Sequence, residues 1–317
     1  MRAVIDLHGL PGSQNGEQTS GHNTTTPAWF NNPTNQGRSD DTVKAVLAWL
    51  ENHAYRSVVV GFEVINEPRP YTEAQNQELS DYYARSYDTI QASAWPVPMF
   101  VAGGYIENEL EYWRPFVAAR ATSPPSIVYE DHPYPGNFPP QTDQSGIMNQ
   151  ICAAGNKYRG YPVPICITEW SIYTGVKDQA FEQRFYEGQL ATYAWSAGAM
   201  YWTLHLIPSA AQLAAGLDYS QYSFLTLVAN NSATIPTAAN FNLPNTTTRD
   251  NALAYVNALE SNCGDQPSNA APYNPGTTLP EYTAEINAYS SAAGVTLYAT
   301  TGAAAPTAKA RRFARAL

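Results

Sequence analysis

Short apolar runs alternate along this chain with longer amphipathic stretches. The runs fall at residues 3–7, 58–65, 97–102, 126–130, 163–168 and 198–203. They are rich in Val, Ile and aromatic residues and alternate little, as strands buried on both faces do. In residues 41–53, Val43, Val46, Leu47 and Leu50 recur at three- and four-residue spacing, which predicts a helix with Asp40 or Asp41 as its cap. The same reasoning places helices over 73–92, 107–119, 143–158 and 178–197. After the first, longer unit the strands recur end to end every 28 to 38 residues. Strand and helix alternating at that period predict parallel βα units.

Two α/β architectures accommodate such units. An open doubly wound sheet would carry a Gly-rich phosphate loop after an early strand, and Gly12-Ser13-Gln14-Asn15-Gly16 has no such form. The expected fold class is therefore α/β, a TIM (β/α)₈ barrel. Six strands are legible where a barrel has eight, so the reading expects its first two βα units, roughly 60 residues, to be missing before Met1. Residues 1–237 form the expected catalytic domain. Beyond Pro236 the periodicity fades into Ala, Asn, Thr and Pro. Residues 238–317 read as a low-complexity, disordered tail, with one short helix over 250–259.

Composition narrows the function. Charged residues make up 14% of the chain and its net charge is -10. A nucleic-acid binder would carry a basic face, so that class is set aside. No apolar stretch is long enough for a membrane span. Cys152, Cys166 and Cys263 lack metal spacing; Cys152 and Cys166 are either a bridge or two buried thiols. The His residues are not spaced as metal ligands either, and no metal or organic cofactor is expected. Three sequons, at Asn23, Asn230 and Asn245, permit glycosylation of a secreted chain.

The chemistry lies where the strands end. In parallel barrels catalytic groups project from the C-terminal ends of strands. Here those ends read Asp6-Leu7-His8-Gly9, Asn66-Glu67-Pro68, Glu130-Asp131-His132-Pro133-Tyr134, Glu169-Trp170 and Trp202-Thr203. Glycoside hydrolysis needs two carboxylates, one to protonate the leaving oxygen and one to attack or to activate water. Glu67 and Glu169, three strands apart, are placed to face each other across the barrel mouth. Trp29 and Trp113 are assigned to packing or to the surface rather than to sugar stacking.

Val64-Ile65-Asn66-Glu67-Pro68, Ile167-Thr168-Glu169-Trp170-Ser171 and Asp6-Leu7-His8-Gly9 resemble the signatures of glycoside hydrolase family 5. Pro11-Gly12-Ser13-Gln14-Asn15-Gly16 is similar to a loop of its fungal exo-β-1,3-glucanase branch. Ser223 to Asn230, followed by Ile235-Pro236, resembles that branch's closing segment. The resemblance runs from about Arg2 to Pro236. It implies a retaining β-glucanase, most simply an exo-β-1,3-glucanase, with Glu67 as acid/base and Glu169 as nucleophile. Asn66 would bind the sugar 2-hydroxyl, and Tyr134 would hold the nucleophile. His8 and His132 would line the reacting subsite, and Trp202 would lie under the sugar ring. Glu67 is expected to be the carboxyl with the raised pKa.

The chain also departs from the family pattern. No residue fills the role of the family's early-strand Arg. Gln18 stands where exo-acting members carry an Asp, with Glu17 beside it as a substitute. Leu204-His205 replaces the usual Trp-Lys. An endo-β-glucanase or β-1,6-glucanase of the same family is the alternative, and a non-catalytic glucan-binding wall protein is the third reading. The implied partner is a β-glucan, acted on by an extracellular or cell-wall monomer.

Overall fold

The computed structural model describes residues 2–233 apart from 25, 159, 194–195 and 216–217. Six strands form one wholly parallel sheet in chain order: β1 (Ala3–Asp6), β2 (Val59–Glu63), β3 (Met99–Ala102), β4 (Ile127–Asp131), β5 (Ile165–Trp170) and β6 (Gly198–Tyr201). Five crossover helices join them: α1 (Pro33–Asn52), α2 (Glu73–Gln91), α3 (Glu109–Ala118), α4 (Gln144–Lys157) and α5 (Gln179–Tyr193). Two short helices follow β6, α6 (Ala210–Ala214) and α7 (Phe224–Ala229). The sheet curls. His8, just past β1, stacks on Trp202, just past β6, with ring centroids 5.2 Å apart. The two outermost strands therefore meet at the C-terminal rim. No pairing between β1 and β6 is found among the described residues. None of the described helices is long and apolar enough to cross a membrane.

Side chains two apart on a strand share a face, and the two faces differ in chemistry. Ile5, Phe62, Met99, Val101, Ile127, Tyr129, Ile165 and Ile167 pack into the main hydrophobic core. The other face carries a small apolar cluster of Phe100, Val128 and Cys166, with Val4 against it. Gly61 belongs here too: a Cβ at that position would meet the Phe100 ring at 2.2 Å. One step further toward the rim, the same face presents Asp6, Glu63, Glu130 and Thr168. The curled sheet thus has an apolar base and a polar layer above it.

Several local expectations need correction. The first helix begins eight residues earlier than the apolar spacing implied. Its cap is Asn32, whose side chain accepts from the Asn35 N–H, not Asp40 or Asp41. Pro33 fits this start because the first helical position needs no amide donor. Asp40 lies inside the helix and pairs with Arg85 of α2. Glu130 does not close a strand at the rim; it lies within β4 and is 1% exposed. Cys166 is a free, buried thiol, so it does not bridge Cys152. Trp29 and Trp113 are packing residues, both fully buried, donating to Ser39 Oγ and the Gly103 carbonyl. Cys263, the sequon at Asn245, the 250–259 helix and the 238–317 tail lie outside the described residues.

Tyr83 of α2 shows how the helices hold the strand ends. Its hydroxyl donates to the Ala102 carbonyl at 3.0 Å and accepts from the Ala102 N–H at 3.1 Å, wholly away from water. Tyr83→Phe would leave both backbone groups unpaired. The expected loss of stability is about 1–3 kcal/mol, measured by urea unfolding; an unchanged midpoint would contradict this role.

Candidate active site

The rim loops are laced together before any carboxylate is placed. The Leu7 N–H donates to the Glu63 carbonyl and the Asn66 N–H to the Leu7 carbonyl. Gln14, fully buried, donates from Nε2 to the carbonyls of His8 (3.0 Å) and Asn66 (2.6 Å) and accepts from the Leu10 N–H. Gly12 makes this loop possible. Its φ is +83°, and a Cβ there would lie 2.8 Å from the Ala28 carbonyl oxygen. On the far side, the Phe224 and Leu225 N–H groups of α7 donate to the carbonyls of Thr203 and Leu204. The Trp202-Thr203 peptide is cis.

On this frame the two glutamates converge. One carboxylate oxygen each of Glu67 and Glu169 and a ring nitrogen of His132 lie within 4.8 Å of one another. His132 Nδ1 is 3.0 Å from Glu67 Oε1 and 3.6 Å from Glu169 Oε2. Its Nε2 is 3.0 Å from Thr168 Oγ1. Tyr134 donates to Glu169 Oε2 at 2.6 Å. Tyr105 stands near Glu67: burial, then the Glu67 charge, raises its hydroxyl pKa, although much of the residue stays exposed. Glu67 itself has φ +42°, a left-handed conformation that costs a non-glycine residue and persists only where its surroundings fix it.

The remaining expected site residues fall around this pair. Asn66 is 1% exposed, and neither atom of its amide has a hydrogen-bond partner. Buried amides are almost always satisfied, so Asn66 is a donor and acceptor held ready. His8 Nδ1 lies 2.8 Å from Asp6 Oδ2, and its ring is parallel to Trp202 within 5°. Trp202 is 39% exposed, enough to leave ring surface open. Glu17 stands apart: it is exposed and paired with Arg69, whose guanidinium lies over the rings of Tyr71 and Tyr105. Gln14, Tyr105, Thr168, Glu63 and Glu130 were not anticipated as site residues. The last two carried a signal, as single acids inside otherwise apolar strands.

Electrostatics reverse one expectation. Burial raises Glu169, and the nearby Glu67 charge adds to it. Burial raises Glu67 too, but the hydrogen bond and charge of His132 outweigh it, and the net displacement is downward. Without substrate Glu67 is therefore not the raised carboxyl of the two. The reason is His132. Burial pulls the ring down, but Glu67, Glu169 and Glu130 together push it up to about 9. Glu67 and His132 behave as one coupled acid.

Below them lies a second pair. Burial pushes Glu130 up to about 8 and Glu63 well above the carboxylate range, with the Glu130 charge adding to the rise of Glu63. Two groups of three donors, Glu67–His132–Glu169 and Glu63–Glu130–His132, are close enough to hold a cation. Both depend on His132, whose two nitrogens already face Glu67 and Thr168. The arrangement is suited to holding a proton.

No family model matches the chain. A protein named "Probable glucan 1,3-beta-glucosidase A" from Aspergillus fumigatus is 30% identical over 174 residues, 54% of this chain and 39% of that protein. "Glucan 1,3-beta-glucosidase 1" of Schizosaccharomyces pombe is 28% identical over 173 residues, 54% of this chain and 41% of its own length. Over about half its length the chain is similar to fungal proteins named glucan 1,3-beta-glucosidase. It spans about two fifths of the length of these curated relatives. Among solved structures, the rutinosidase of Aspergillus niger superposes with a TM-score of 0.57 at 20% identity, covering 66% of this chain and 61% of that one. The protein AoRut gives 0.60 at 20% identity, covering 73% and 66%. These two establish the α/β fold.

The buried acids make stability pH-dependent. A carboxyl raised in the folded state costs nothing below its unfolded pKa of about 4.5 and destabilises increasingly as pH rises toward the folded value. His132 adds the same slope: its stabilisation is complete below about 6.5 and is lost as pH rises through about 9. Urea stability is therefore expected to fall from about pH 5 to pH 9, and Glu130→Gln should flatten that fall. A steeper fall in the variant would contradict the assignment.

Proposed function

We propose that this protein is a retaining β-glycosidase acting on β-1,3-glucan from the non-reducing end. In this reading the six βα units are part of a (β/α)₈ barrel, and the protein works outside the cell or in the wall as a monomer. The observation that carries the mechanism is the approach of Glu67 and Glu169 oxygens to within 4.8 Å. Retaining enzymes hold their carboxyls about 5–5.5 Å apart, whereas inverting ones leave about 6.5–9.5 Å for a water. The named relatives support the substrate class.

Glu169 is the nucleophile. Its carboxylate attacks the anomeric carbon while Tyr134 fixes one oxygen by the hydrogen bond to Oε2. Glu67, carrying the proton it shares with His132, protonates the departing glycosidic oxygen. Glu67 then takes a proton from water, which attacks the glycosyl ester and restores the β configuration. The unpartnered Asn66 amide is suited to the sugar 2-hydroxyl, a contact that strengthens in the oxocarbenium-like transition state. Trp202 offers an apolar face beneath the ring.

Glu17 favours a second reading. It is tied to Arg69 rather than free to grip a terminal sugar, which fits an endo-acting enzyme. The products separate the two: single glucose units for exo action, an oligosaccharide ladder for endo action.

Early in hydrolysis of a β-1,3-glucan, proton NMR is expected to show the β-anomer; first appearance of the α-anomer would contradict retention. Glu169→Gln should lower kcat roughly 10⁴-fold or more, as loss of a nucleophile does elsewhere. Full activity in that variant would remove Glu169 from the mechanism.

A further inference from the structure

His132 touches Glu67 with one nitrogen, and what holds the other nitrogen decides its protonation. Thr168 has a single hydroxyl proton. That hydroxyl lies 3.0 Å from Glu130 Oε2, to which it donates, and 3.0 Å from His132 Nε2. A hydroxyl that has given its proton to one neighbour can only accept from the next. Nε2 must then carry a hydrogen. Glu130 Oε2 is the acceptor of that hydroxyl, while its Oε1 has no hydrogen-bond partner. The donors therefore run in one direction, from Thr168 to Glu130 and from His132 to Thr168.

We propose that Thr168 and Glu130 are positioning residues that fix His132 with Nε2 protonated, so that Nδ1 is the atom exchanging a proton with Glu67. This deepens the reaction proposed above and rests on it for its catalytic meaning. One proton moves between two states: Nδ1–H facing the Glu67 carboxylate, and bare Nδ1 accepting from the Glu67 carboxylic acid. Nothing else changes hands. That shared proton, held across the 3.0 Å contact, is the one Glu67 gives to the leaving oxygen, and the water that attacks the glycosyl ester returns it. The charged groups around His132 are Glu63 and Glu67 from the β2 side, Glu130 and Asp131 from its own strand, Glu169 from β5 and Glu109 of α3. Thr168 and Glu130 lie below the reacting pair, with Thr168 7% and Glu130 1% exposed. They act through His132.

The test is nitrogen NMR on substrate-free protein labelled with ¹⁵N-histidine. The chain has 5 histidines, and His132→Gln assigns the signals. In the unaltered protein, Nε2 of His132 is expected to stay protonated from pH 6 to 10, with Nδ1 the nitrogen that loses its proton as pH rises through about 9. A bare Nε2 beside a protonated Nδ1 would overturn the inference, because Thr168 would then be the donor. Thr168→Val should leave His132 in mixed tautomers and lower kcat about tenfold or more with little change in KM; Thr168→Ser should restore both. An unchanged tautomer in Thr168→Val would equally overturn it. The spectra need no substrate, so they judge this inference apart from whether the protein hydrolyses β-glucan.

Discussion

Two carboxylates brought together in a shielded pocket repel each other. Their nearest oxygens lie within 4.8 Å of each other, and with an effective dielectric constant of 20 the repulsion at that limit is already about 3–4 kcal/mol. The site exists only because other groups offset it. The His132 ring is 3.0 Å from Glu67 and 3.6 Å from Glu169, and the Tyr134 hydroxyl donates to Glu169. One imidazole and one phenol therefore let both oxygens face a single point in space. That constraint explains why Glu67 is pulled down rather than up before substrate arrives. In the proposed reaction, a sugar entering between the carboxylates changes the neighbours of both.

The strand periodicity supplies the support. On the sheet face opposite the helices, β1, β2, β4 and β5 each pass from a nonpolar residue to a polar one and then to the rim. Phe100, Val128 and Cys166 form a dry base. Glu63, Glu130 and Thr168 form the layer above it, and His132 stands on that layer. Two acids placed where the core excludes water are costly unless they share a proton. A chain selected only for stability would place hydrocarbon there. Their presence ties the least favourable part of the interior to the orientation of the site.

Much of this was legible in the sequence, and the reason is burial. Strands covered on both faces need near-continuous apolar residues, so all six stood out, and the polar residues ending them marked the rim. Glu67, Glu169, His132, Tyr134, Asn66, His8 and Trp202 converge as the strand ends implied. Glu17 does not join them, because Arg69 competes for its charge. The cap of α1 was misplaced, because Pro33 and Asn32 lie outside the apolar periodicity used to find the helix. The Glu63–Glu130–Thr168 layer was missed for a related reason. Its members pair across strands far apart in the chain, and no local spacing records which strand lies beside which. The direction of the Glu67 shift was missed because it depends on the protonation of a histidine 65 positions away.

The central claim is that Glu169 becomes covalently bound to the sugar. It is tested most directly by stopping the protein with acid during turnover of an activated β-glucoside and mapping the added mass by peptide mass spectrometry. One glucosyl unit on the peptide containing Glu169 is expected. Steady turnover with that peptide unmodified, and with the sugar carried by another residue, would contradict the account.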